Sequence, residues 1–342
     1  VKAIITTTIN EPRNLPYWRD HLEDEDIIIV AGDMKTPHSK VEAIIDALPG
    51  KNVYLDPYAQ GGWAISEVIG WNSIQRRNIA LLEALKLKPD FITTIDDDNF
   101  PLCTVKHAWF DFLTMREKYD AIDGTDGWFN PGQLCTPSVT HRGMPLSRRN
   151  LEWFKYAPVK ITHDQVVVWA HLWKSDPDID ALDRIVLNPR VDRVLSEGAP
   201  IREVWAPFNS QSTTIRGEWA WAFPVLPHVG RMDDIWSSYI CQAILKIFGR
   251  YVHYGYPLVE QVRNPHDLLK DLVQEMLGYQ WTEHLVDYLR NESNGLTAVD
   301  VTPREAYDYL TYGLNRLEWF PRKTIRFLEA WQADLRSLEA TE

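Results

Sequence analysis

The sequence predicts an α/β protein built on a mostly parallel sheet, with a helical C-terminal part. Three observations carry this. Short apolar runs rich in β-branched residues alternate with helix-spaced runs over the first hundred residues. Those apolar runs are continuous rather than alternating, as in strands buried on both faces. From Asp233 onward the apolar spacing is helical.

The elements follow in order. KAIITTTI (2–9) reads as the first strand, and the turn-forming NEPRN follows it. LPYWRDHLE reads as a short helix, DIIIVAGD (26–33) as a second strand and KVEAIIDALP (40–49) as a helix. KNVYLDP (51–57) reads as a third strand, IQRRNIALLEALKLK (74–88) as an amphipathic helix and FITTID (91–96) as a fourth strand. Such alternation argues for a parallel sheet flanked by helices. LDPYAQGGWAISEVIGWN (55–72), with its Gly-Gly pair, reads as a mobile loop. Between about 120 and 230 the chain is rich in Pro, Gly and Trp, with candidate strands at VKITHDQVVV and REVWAPFNSQSTTI. Four helical runs then follow: DIWSSYICQAILKIFG, HDLLKDLVQEMLGYQWTEHLVDYLRN, PREAYDYLTYGLNRLEWF and KTIRFLEAWQADLRSLE. There is no internal repeat or low-complexity tract. The expected organisation is an α/β catalytic domain over residues 1–265, with a helical extension over 266–342 packed on it.

Composition bounds the function. A formal charge of −12 argues against a broad nucleic-acid surface, which needs clustered Lys and Arg. No apolar run is long enough to span a membrane. The first residues read as a strand rather than a signal peptide, and the three cysteines are far apart, with no CxxC pair. The expectation is a soluble, cytoplasmic protein. Fifteen tryptophans are unusual; aromatic faces line many sugar clefts, although core packing is the commoner use.

The chemistry concentrates in IDDDNFP. Three adjacent carboxylates, Asp96, Asp97 and Asp98, close an apolar strand. Ligands of open parallel sheets bind beyond the carboxyl ends of strands. Asp is a poor strand former, and like charges in a row repel. A hard divalent cation, Mg²⁺ or Mn²⁺, resolves that repulsion, and Asp96 and Asp98 point the same way on an extended segment. A solvated acidic turn is the plainer alternative. Arg76 and Arg77, at the start of a helix, suit a diphosphate by charge and dipole.

A strand ending in an Asp-x-Asp triplet (a DXD motif), preceded by the helix NSIQRRNIALLEAL, resembles the GT-A (Rossmann-like) nucleotide-sugar glycosyltransferases. TTIDDDNFP, PFNSQSTTIRGEWAWAFPVLPHVGRMDDIWSSYI and QVRNPHDLLKDLVQE together resemble the STELLO-type (DUF288) group. They are more loosely similar to the reversibly glycosylated polypeptide and UDP-arabinopyranose mutase group. The likeness runs in patches over roughly residues 1–280.

The resemblance implies a metal-dependent transferase that moves a sugar from a nucleotide-sugar donor, a UDP-sugar first, to an acceptor hydroxyl on a glycan, protein or small metabolite. It implies Asp96, Asp98 and His266 as ligands of Mn²⁺ or Mg²⁺, with His253 as the rival histidine. Asp97 would contact the donor. Thr7, Thr8, Asp33 and Lys35 would hold base, ribose and phosphate, with Arg76, Arg77 and Arg263 on the diphosphate. Trp128 and Asp126 would lie near the sugar, and HLWKSDPDIDALDR (171–184) would shape its pocket. The loop 55–72 would close over the donor. Of the acidic pair in GRMDDIW, Asp234 is slightly favoured as general base, with Asp233 as cap or acceptor contact. Alternatives are a nucleotide-sugar mutase of the same fold, a Mg-dependent phosphohydrolase or nucleotidyltransferase, and a non-catalytic carbohydrate-binding protein. A nucleotidyltransferase usually has a Gly-rich first loop, which TTTINEP lacks.

Overall fold

A computed structural model describes residues 1–102, 113, 116–264 and 266–340. Cys103 lies outside these residues; Cys135 and Cys241 are buried and unpaired.

Seven strands form the main sheet: β1 (Lys2–Thr8), β2 (Ile27–Gly32), β3 (Val53–Leu55), β4 (Phe91–Ile95), β5 (Val166–His171), β6 (Ser212–Arg216) and β7 (Tyr251–Gly255). Their order across the sheet is β7-β5-β6-β4-β1-β2-β3. Only β6 runs against its neighbours, pairing Thr214 with Thr93 of β4 and Trp169 of β5. The sheet is therefore α/β and mostly parallel, as the resemblance to GT-A enzymes implies. Both faces are covered, which is why the strands read as unbroken apolar runs. Ala3 and Ile5 of β1 enter one core and Ile4 enters the other, and Ile27/Ile29 and Ile28 of β2 divide the same way.

The helices are α1 (His38–Asp46), α2 (Ala64–Ile69), α3 (Arg77–Lys86), α4 (Ala181–Val186), α5 (Asp233–Ile247), α6 (Leu268–Asn294), α7 (Pro303–Gly313) and α8 (Arg322–Ala340). The stretch read as an amphipathic helix over 74–88 is a short 3₁₀ turn and then α3, which is buried nearly all round, Arg77 and Asn78 included. The first short helix is a 3₁₀ turn over Leu15–His21. VKITHDQVVV is split by a 3₁₀ turn into the end of Lys155–Thr162 and the start of β5. REVWAPFNSQSTTI yields a strand only from Ser212.

The four C-terminal helical runs hold as α5 to α8. One continuous core joins them to the sheet: Trp236 of α5 stacks on Phe320, and Trp331 of α8 donates from Nε1 to the Trp221 carbonyl at 3.1 Å. The 55–72 stretch is not a free loop. α2 lies in it, and the buried Asp334 carboxylate of α8 accepts from the Ala64 and Ile65 amides at 2.7 and 2.9 Å. Among the described residues no helix is long and apolar enough to cross a membrane.

Sequence order reverses between β1 and β4: β2 follows β1 on one side, and β4 lies on the other. A crevice forms beyond strand carboxyl ends at such a switch point. Thr7 and Asp96 to Asp98 stand there.

Candidate active site

A cleft of about 690 Å³ opens at this switch point. Thr7 and the whole acidic triplet line one side; Asp233, Asp234, Arg231, Arg263 and His266 line the rest, with Arg142, Asp178 and Ser210. Residues predicted from four separate stretches of sequence therefore meet in one place.

The triplet sits on a tight turn. The Asp96 amide donates to Asn99 Oδ1 at 2.9 Å, and Asn14 Nδ2 donates to the carbonyls of Asp96 and Asn99, both at 3.0 Å. Asn99–Pro101 then pairs antiparallel with Val259–Gln261, and this ribbon delivers Gln261 and Arg263 to the triplet. The three carboxylates have different surroundings. Asp96 is ion-paired with the buried Arg77, Oδ1 to Nη2 at 2.5 Å. Asp97 accepts from the Thr8 hydroxyl at 2.6 Å, and burial with the charge of Asp96 raises its carboxyl. Among the described residues Asp98 has only amide donors, Gln261 Nε2 at 3.3 Å from both oxygens and Asn99 Nδ2 at 3.3 Å. Burial first, then the charges of Asp96 and Asp97, push its carboxyl up to about 7.

Across the cleft, the acidic pair at the start of α5 is also divided. Asp234 is buried and neutralised: Arg142 Nη2 reaches its Oδ1 at 3.1 Å, and the Ser210 amide and hydroxyl donate to Oδ2 at 2.9 and 3.1 Å. Arg142 also grips Asp178 with two parallel bonds of 2.9 Å. Burial alone would raise the Asp178 carboxyl, but the Arg142 charge and hydrogen bonds hold it well below the usual range. Ser210 in turn accepts from Arg77 Nη1 at 2.8 Å. A single polar chain thus runs Asp178–Arg142–Asp234–Ser210–Arg77–Asp96 along the cleft floor. Asp233 stands outside this chain. Its side chain accepts from Gln75 Nε2 at 3.0 Å, and burial with the Asp234 charge pushes it up to about 7. Both acids line the cleft, but Asp234 is ion-paired with Arg142, whereas Asp233 has no guanidinium bonded to it among the described residues.

Other predicted contacts move to scaffold roles. Asp33 is fully buried, and its oxygens accept from the amides of Met34 at 2.6 Å and Ser73 at 2.9 Å, which fastens the cleft wall at Ser73. Arg76 is buried, donates to Gly70 and Ser66 at 2.8 to 2.9 Å, stacks on Trp71 and does not line the cleft. Arg77 serves the polar chain beneath the cleft and does not line it. Lys35 is exposed and does not line the cleft. Trp128 is buried against Tyr239, Asp126 is exposed beside Arg148, and neither borders the cleft. No tryptophan lines it among the described residues; most pack in the core.

His253 lies on β7 against Tyr119, with burial pulling its imidazole well below the ordinary value, and does not reach the cleft. His266 does; Asp271 holds its Nδ1 at 2.9 Å. Arg263 is held by Asp176 at 3.0 Å, and Arg231 by the buried Glu275 at 2.9 Å. Sequence reasoning missed Arg142, Asp178, Ser210, Arg231 and Gln261. Asp178 lay within the flagged 171–184 segment and Arg231 beside the acidic pair, but HRGMP around Arg142 carries no pattern of its own.

Among the described residues no three His, Cys, Asp or Glu side chains converge on one point as a ready-made cation cage. The cleft nonetheless fits a hard cation brought in with phosphate. Among the described residues six carboxylates line it against three guanidiniums, and Asp98 offers two oxygens that face no paired cation. Mg²⁺ takes one or two carboxylates plus phosphate oxygens and water in such sites.

Among solved structures the chain is similar to glucosyl-3-phosphoglycerate synthase of M. tuberculosis, at 12% identity with a TM-score of 0.40, covering 86% of this chain and 81% of that one. It is also similar to S. aureus TarS in complex with UDP, at 10% identity and a TM-score of 0.33, covering 100% and 92%. For TarS in complex with UDP-GlcNAc the values are 11% and 0.34, with the same coverage. No curated protein matches the chain. Residues 231–341 match the family model of STELLO glycosyltransferases. That match takes in the acidic pair, Arg231, Arg263 and α6 to α8, so the C-terminal third of the chain is similar to the STELLO glycosyltransferases.

Proposed function

We propose that the cleft transfers a glycosyl group from a nucleoside-diphosphate sugar, with a UDP-sugar as the first donor class, to an acceptor hydroxyl with the help of a divalent cation. The charge imbalance of the cleft carries this reading. A donor diphosphate is itself an anion, and six carboxylates against three guanidiniums repel it unless a cation accompanies it. Asp98, with Asp96 beside it, would hold that cation, Mn²⁺ or Mg²⁺, together with phosphate oxygens and water, His266 lying on the same cleft as a further candidate; the cation would neutralise the leaving diphosphate.

Arg263 and Arg231, each braced by a carboxylate, add fixed positive charge at the cleft. Asp233 takes the proton of the acceptor hydroxyl as its oxygen bonds to the anomeric carbon and the bond to the diphosphate breaks. A carboxyl near 7 is well matched to that task at neutral pH. A single direct displacement of this kind inverts the anomeric configuration. The cytoplasm is the proposed compartment.

The test is the melting temperature with UDP, GDP and dTDP, each with and without Mn²⁺, for wild type and Asp98→Asn. Stabilisation by one nucleotide only when metal is present, lost in the variant, supports the reading. Equal stabilisation without metal, or none in any combination, removes it. Product analysis with the stabilising donor separates transfer from simple hydrolysis and from rearrangement of the donor sugar.

A further inference from the structure

A second cavity, of about 560 Å³, lies beside Trp153 and is within the size range of small-molecule sites. Two segments connect it to the cleft. Thr140 and Asp183 line the second cavity; Arg142 and Asp178, a few residues along the same segments, line the cleft. The Arg142 amide ties the segments together by donating to the Asp178 carbonyl at 2.9 Å.

The walls are built rather than loose. Asn130 Nδ2 donates to the Val139 carbonyl at 2.8 Å, and its Oδ1 accepts from the amides of Gly132 and His141, both at 3.1 Å. Arg149 pairs with Asp183 at 2.6 Å and with Asp180, and its Nε is buried with no partner among the described residues. Against this polar floor stands Trp153, 62% exposed. An exposed indole of that size is unusual in a chain that buries most of its tryptophans.

The electrostatics choose the ligand class. Among the described residues the one guanidinium of the cavity is already balanced by two carboxylates, which disfavours a phosphate or a carboxylate ligand. Ser138, Thr140 and Asn150 add hydroxyl and amide groups at its surface. An aromatic face with neutral donors and acceptors around it suits a ligand with an apolar C–H face and a hydroxyl rim.

We propose that this cavity is a carbohydrate-binding subsite for a neutral oligosaccharide, which stacks a ring on Trp153 and hydrogen-bonds to the polar floor. Its link to the reaction, as a hold on the acceptor chain, rests on the glycosyltransferase reading; the binding itself does not.

The test is isothermal titration calorimetry of the whole chain with cellohexaose, maltohexaose, xylohexaose, mannohexaose and chitohexaose. The variants are Trp153→Ala and, as a cleft control, Asp98→Asn. At least one hexasaccharide is expected to bind wild type and Asp98→Asn alike. Trp153→Ala should weaken it about tenfold, the upper worth of one aromatic face, with the melting temperature unchanged. Binding by none of the five, or binding that Trp153→Ala leaves intact, overturns the proposal. Trp153-dependent binding in a protein that shows no nucleotide effect would keep this subsite while removing the glycosyltransferase mechanism.

Discussion

Replacing Arg142 with methionine keeps most of the side-chain stem and removes the charge between Asp178 and Asp234. Both carboxylates are buried, and Arg142 is the cation bonded to each. Asn209 Nδ2, at 2.6 Å from Asp178, and Ser210 remain as neutral donors. Removing one partner of a buried pair costs about 3–5 kcal/mol, because the remaining charge is left uncompensated. The pH dependence sharpens this. In the wild type, the folded Asp178 carboxyl lies below its unfolded value, so its contribution is complete above about 4 and is lost as pH falls through the folded value. In Arg142→Met the largest lowering influences on that carboxyl are gone and burial is the largest that remains, so it rises and protonation relieves the variant as pH falls. Urea unfolding at pH 7.5 and 5.0 should therefore show a deficit of about 3–5 kcal/mol at the higher pH and a clearly smaller one at the lower. A deficit under about 1 kcal/mol, equal at both pH values, would refute the view that this guanidinium holds the cleft floor together.

Three further outcomes follow from the same geometry. Asp233→Asn should lower kcat by about 10²–10⁴-fold without unfolding the protein, whereas Asp234→Asn should chiefly lower the urea midpoint; in the wild type, kcat/KM should fall as pH drops below about 7 and protonates Asp233. The folded Asp98 carboxyl is raised to about 7, so its ionisation weakens the metal-free protein progressively as pH climbs from about 4 to 7; Asp98→Asn should melt higher than wild type without metal, by more at pH 8 than at pH 5. Asp334→Ala removes the acceptor of two α2 amides and should cost about 1–3 kcal/mol, with faster hydrogen exchange confined to residues near 63–73.

How far the sequence could be read depended on the range of the interaction concerned. The strands 2–8, 27–32 and 91–95 were legible because burial on both faces leaves a continuous apolar run, a purely local signal. The triplet was legible for the same reason, as charge at the end of such a run. What periodicity could not supply was the partner of each carboxylate. Asp96 and Arg77 are 19 residues apart, and Arg142 and Asp234 are 92 apart, yet these pairings decide which acids are spent and which face the cleft. Arg76 and Arg77 looked interchangeable beside one another, but successive helical residues point about 100° apart, and they turn to different surroundings. The short strand Val259–Gln261 went unread, although its pairing with Asn99–Pro101 delivers Gln261 to Asp98. Trp128 illustrates the converse error: its residue type fits a sugar platform, but its burial fits only a core.

The bond between Asp334 and the start of α2 also bears on how the chain is made. The cleft wall at Asn72 and Ser73 follows directly on α2, and α2 is anchored by a residue 270 positions downstream of Ala64. During synthesis the triplet, its arginine and the first four strands emerge early, while their enclosure waits for α8. The rest of the lining, from Arg142 to Gln274, also follows the triplet in the chain, so the cleft is enclosed only when nearly the whole sequence is present to fold around it.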